Sequence, residues 1–84
     1  MRYVLFVCAP AHGRDVTVRL RPPADATTVR AHDGEVLISD GPFTTADEYV
    51  TAVDLVEAAD LDEAIALAAR HSEGGPVEVR PVWE

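Results

Sequence analysis

Ala52-Val53-Asp54-Leu55-Val56-Glu57-Ala58-Ala59-Asp60-Leu61-Asp62-Glu63-Ala64-Ile65 decides the fold, because the hydrophobic period changes inside it. Before Asp60 the chain is β-rich and alternates, with Val53, Leu55 and Glu57 on one face and Ala52, Asp54 and Val56 on the other. This predicts a strand within residues 49–58, surest over 52–57. Asp54, polar among apolar neighbours, is expected to face solvent, with a buried functional carboxylate as the second reading. After Asp60 the period lengthens. Leu61, Ala64, Ile65 and Ala68 fall at i, i+3, i+4 and i+7, which predicts a helix over 61–72 with that stripe buried. Asp60 stands at the N-cap and Glu63 three residues on, in a capping-box arrangement. Asp62 and Glu63 suit the positive end of the helix dipole, and Arg70 and His71 the negative end. Gly74-Gly75 offers a left-handed exit and Pro76 forbids continuation. Val77-Glu78-Val79-Arg80 alternates again, and Val82-Trp83 is expected to extend this last strand, with Trp83 as a core or dimer anchor. A strand–helix–strand crossover is right-handed and makes its two strands parallel.

Upstream, Asp40-Gly41-Pro42-Phe43 reads as a loop, with Phe43 expected in the core, and residues 44–48 as a polar bridge with room for one helical turn. Residues 27–30 and 35–39 are β-rich and flank Ala31-His32-Asp33-Gly34, whose Asp-Gly is a strong hairpin signal. Residues 16–21 alternate as a half-buried strand that Pro22-Pro23 stops. Residues 3–8 form a continuous apolar run, the pattern of a central strand buried on both faces. The order is β, then β–β–β, then β–α–β: an α+β fold.

The chain has 84 residues, enough for one domain spanning 1–84. It is 48% hydrophobic and 26% charged, an ordinary globular balance. Fifteen acidic against seven basic side chains give a formal charge of -8. That excludes a phosphate-tracking nucleic-acid binder and disfavours an anionic membrane surface. All seven basic residues are Arg, read as a compositional bias. No run reaches the roughly 20 apolar residues of a membrane span, no signal peptide is evident, and the expected location is cytoplasmic. Cys8 is single, so no internal disulfide forms. His12, His32 and His71 lack metal-ligand spacing, and there is no phosphate loop or nucleophile elbow, so neither metal nor cofactor is expected.

Asp40-Gly41-Pro42-Phe43-Thr44-Thr45-Ala46-Asp47-Glu48 resembles the signature of the DGPF branch of the YCII-related proteins; its first four residues and its last agree with that signature. Leu20-Arg21-Pro22-Pro23, Asp60-Leu61-Asp62-Glu63-Ala64 and Val77-Glu78-Val79-Arg80-Pro81-Val82 resemble the flanking segments in the same order. The resemblance implies a ferredoxin-like domain of the dimeric α/β-barrel kind. Such a domain carries a helix between its first two strands, yet only residues 9–15 stand there, too few for two helical turns. With that helix missing, the sheet is expected to expose an apolar patch that a second copy covers.

The resemblance implies a small organic ligand, with Asp40, Gly41, Pro42 and Phe43 as candidate ligand-binding residues, and a possible accessory role in transcription control through contact with a protein partner. It also implies His–Asp acid–base chemistry. The family's histidine belongs to the missing segment, and His12 is merely the nearest in the chain. Asp40 and His12 are therefore the candidate catalytic pair of an alternative reading, a lyase or dehydrochlorinase-like enzyme, against the leading reading of a homodimeric binding module. Asp40 has a structural reading too, as acceptor for the turn amides of Gly41 and Phe43.

Overall fold

The computed structural model describes every residue except Arg14, Thr44, Thr45, Ala46 and Glu73; the expected helical turn within 44–48 lies largely outside the described residues. The N-terminal apolar run is strand β1, Arg2–Cys8. A loop, entered through a cis Ala9–Pro10 peptide, leads to β2, Val18–Arg19. A 3₁₀ turn, Pro23–Asp25, precedes the hairpin of β3, Thr27–His32, and β4, Glu35–Asp40. Then follow β5, Val50–Glu57, helix α1, Leu61–Ala69, and β6, Val77–Pro81. The result is an α+β fold of antiparallel sheets with one α-helix among the described residues. One sheet has the order β2-β5-β1-β6, and β3-β4 pair apart from it. Because β5 and β6 both run antiparallel to β1 from opposite sides, they are parallel to each other, as the crossover predicts.

Strand β1 is central, but only one of its faces is sealed. Tyr3, Leu5 and Val7 are buried, whereas Val4, Phe6 and Cys8 are half-buried. Two cores cover the sealed face. In the first, α1 sets Ala64 against Tyr3 and Ala58, with Val56, Leu67 and Val79 around them. The helix begins as the capping signal predicts: Asp60 Oδ1 accepts the Glu63 N–H at 2.9 Å. Its buried stripe differs from the expected one. Leu61 and Ile65 are about half exposed, and the stripe runs through Ala64, Leu67, Ala68 and His71. Alanines on the contact line let the helix axis approach the sheet, which turns the bulkier residues outward. The α-helix ends at Ala69, short of the expected 72, and continues as i→i+3 turns, with His71 N–H on Ala68 O and Ser72 N–H on Ala69 O.

The second core gathers Val7, Ala11 and Ala52, with Val16 and Val77 packed against them. Here the connection after β1 lies back on the sheet. A Cβ on Gly13 would meet Val16 Cγ1 at 2.5 Å, and one on Gly75 would sit 2.6 Å from Ala11 N and 2.7 Å from Cys8 O. Small residues thus let a loop fill the place where the resemblance implies a helix. Strand β2 is shorter than the alternation of 16–21 suggests, because the Thr17 N–H and hydroxyl both turn to Asp54 and leave the ladder. The last strand is also shorter: Val82 N–H still reaches Arg2 O, but Trp83 is fully exposed, so the core-anchor reading is wrong.

The hairpin follows its turn chemistry. Asp33 and Gly34 both take positive φ, 48° and 80°, as a type I′ turn requires. By alternation Val29, Ala31, Val36 and Ile38 share one face, with Asp40 at its end. Ile38 is 69% exposed, and no described residue covers this apolar face. The molecule is accordingly extended. Its radius of gyration is 14.6 Å, against about 12 Å for a compact chain of this length. Its accessible surface is 6316 Å², against about 4,900 Å² for a folded monomer of this mass.

Candidate functional site

Gly41 shapes the approach to a wide cleft beside the hairpin base. Its φ of +96° reverses the chain after β4. Its N–H donates to Ala26 O at 2.8 Å, and its carbonyl accepts the Thr28 hydroxyl at 2.7 Å. That anchored turn delivers Pro42 and Phe43 to a cleft of about 570 Å³ between the hairpin base, the Leu20–Pro23 segment and the start of β5. Phe43 is 75% exposed there, not in the core as expected. Tyr49, Cys8, Glu48 and Glu78 also line the cleft. Its size falls in the range of small-molecule sites.

Electrostatics set what this cleft can do. Burial, reinforced by the nearby Glu78 and Glu48 carboxylates, pushes the Cys8 thiol above its ordinary range. The thiol donates weakly to Phe6 O at 3.6 Å. A thiol held protonated is not an activated nucleophile. Arg21 is paired with Asp25 at 3.0 Å and Glu78 with Arg80, whose guanidinium sits 5.5 Å over the Phe6 ring.

Of the residues singled out in the sequence, Pro42 and Phe43 enter this cleft; Asp40 and Gly41 do not line it. Asp40 closes β4 opposite Thr27, exposed, and its carboxylate has no hydrogen bond or ion pair with a described residue. Thr28 and Ala26 hold the turn in its place. His12 lines an adjoining cleft of about 280 Å³ with Arg19, Tyr49 and Thr51, and Asp40 is absent from that lining as well. His32 is exposed beside Asp33.

Sequence reasoning missed the pairing of Asp54 with His71 on the helix side of the sheet, where Asp54 is partly buried and His71 buried. Asp54 does not face solvent: its side chain is 13% exposed and lies 3.7 Å from Nε2 of His71, whose side chain is 9% exposed. Asp54 Oδ1 accepts from both the Thr17 N–H at 3.0 Å and the Thr17 hydroxyl at 2.5 Å. The hydroxyl in turn accepts the Leu55 N–H at 3.2 Å. The carboxylate stands between hydroxyl and imidazole, and through Thr17 it ties the loop to β5. The signals were present: Asp54 shares a face with Ala52 and Val56, and His71 lies seven residues after Ala64. Among the described residues no group of three or more His, Cys, Asp or Glu could hold a metal ion, and no helix is long and apolar enough to cross a membrane.

A family model for the YCII-related domain matches residues 2–84. The chain is also similar to an uncharacterized protein of Rhizobium meliloti (strain 1021), with 38% identity over 68 residues, covering 76% of this chain and 55% of that protein. The chain therefore spans about half the length of the curated relative it matches.

Proposed function

We propose that this chain, which belongs to the YCII-related domain family, is a homodimeric module that holds a small organic ligand in the cleft beside Pro42 and Phe43. The observation that carries the dimer is the surplus of exposed surface: 6316 Å² is roughly 1,400 Å² more than a monomer of this mass presents. A standard interface takes about 800 Å² from each partner, so a second copy fits within the surplus. The uncovered apolar face of the hairpin, Val29, Ala31, Val36 and Ile38, supplies the contact. A two-stranded hairpin alone is marginal in water, and its persistence calls for a covering partner.

In this reading the sheet is a ferredoxin-like half-barrel whose first helix is replaced by the loop of residues 9–17. Asp40 shares the hairpin's apolar face, so association would carry its carboxylate into the interface and the cleft mouth. No observation favours the acid–base reading centred on Asp40 and His12: the two line no common cleft, and the Asp40 carboxylate has no described partner to tune it.

The test is thermal unfolding over about a hundredfold range of protein concentration. A dimer's midpoint climbs with concentration by mass action. The wild type is expected to climb, and Ile38→Arg, which places a charge on the apolar face, is expected to stay flat at a lower midpoint. A flat wild-type response contradicts the proposal.

A further inference from the structure

The lining of the large cleft combines two features that select a ligand charge. It is chiefly apolar, with Pro22, Pro23 and Pro42 beside the rings of Phe43 and Tyr49. Its charged residues are unbalanced: Asp25, Glu48 and Glu78 against Arg21 alone. Arg21 is already neutralised by Asp25. Glu78 has Arg80 as partner, and Glu48 has no ion-pair partner among the described residues. An anion entering the cleft would meet this excess of carboxylates with no unpaired guanidinium to receive it. A cation would find a carboxylate and two aromatic faces, the combination that recognises ammonium groups elsewhere.

We infer that this cleft takes an organic cation, an ammonium group on an aromatic or aliphatic body. The inference rests on the ligand-binding reading above and names its chemical class. The body would lie along the prolines and rings, and the ammonium would turn toward Glu48 and Glu78. The raised Cys8 thiol is consistent with this: burial is the main cause, and the Glu78 and Glu48 carboxylates add to it. The negative potential of those two carboxylates, which adds to the effect of burial on the thiol, favours a cation. The whole chain's charge of -8 steers in the same direction.

The probes are three molecules of one shape: 2-phenylethylammonium, 2-phenylethanol and 3-phenylpropionate. Cys8 is the only cysteine, so its alkylation by uncharged iodoacetamide reports occupancy of the cleft, and calorimetric titration gives the affinities. The ammonium is expected to protect Cys8 and to bind about tenfold more tightly than the carboxylate, with the alcohol between them. Glu48→Gln, a change at an exposed residue, is expected to weaken the ammonium several-fold and leave the alcohol unchanged. The Glu48→Gln/Glu78→Gln double variant is expected to level all three probes. Equal affinity of all three for the wild type would overturn the cation inference and leave the ligand reading standing. If none of the three protects Cys8 or gives heat, the ligand reading falls and takes the cation with it.

Discussion

Asp40 and Asp54 carry the same side chain in opposite circumstances, and their environments reverse the ranking that local sequence suggests. Asp54 accepts two hydrogen bonds from Thr17 under the helix side of the sheet, whereas Asp40 is exposed with no described partner. A buried, bonded carboxylate costs more to remove than a solvated one. Asp54→Ala is therefore expected to cost about 2 kcal/mol, and Asp40→Asn to stay within about 0.5 kcal/mol. Urea denaturation of the two variants checks this, and equal losses would show that Asp40 holds its turn after all. Alternation placed Asp54 on the right face; what the sequence hid was which face the helix covers. That depended on the stripe of α1, where alanines took the contact and Leu61 and Ile65 were left outside. Phe43, and the core half of the Trp83 reading, failed for a related reason: bulk argues for burial, but loop geometry and strand length decide whether a core lies within reach.

At the scale of elements, the most legible features were those with local chemistry. The type I′ turn at Asp33-Gly34 and the N-cap at Asp60 follow from side chains that act on their own backbone. The extents of β2 and β6 were not legible, because they depend on Thr17 leaving the ladder and on the chain leaving the sheet after the Val82 N–H bond to Arg2 O. The sequence also marked Gly74-Gly75 as one unit, yet the two glycines do different things. Gly74 takes φ +90°, while Gly75 lets the chain pass against the backbone of Cys8, Pro10 and Ala11. Since those neighbours are main-chain atoms that cannot swing aside, Gly75→Ala is expected to cost roughly 1–3 kcal/mol, at or above the roughly 1 kcal/mol expected of Asp60→Ala at the helix cap. Thermal or urea unfolding ranks the two. A Gly75→Ala protein as stable as the wild type would mean that the loop after β1 does not press on the sheet as described.

For the whole molecule, the shortness of the connection between the first two strands was visible as arithmetic on residues 9–15, but its structural result was not. The sealed face did not open, because Ala11, Gly13 and Val16 closed it; the exposure moved to the other face of β1 and to the hairpin. The extended shape, with a radius of gyration of 14.6 Å, follows from a hairpin that pairs with no other strand among the described residues. The proposed association follows from where the apolar surface went, and the cleft at the hairpin base lies beside that surface. Sedimentation equilibrium at micromolar concentration tests this most directly. The account predicts twice the 9.1 kDa of one chain; a single-chain mass across the concentration range would contradict it.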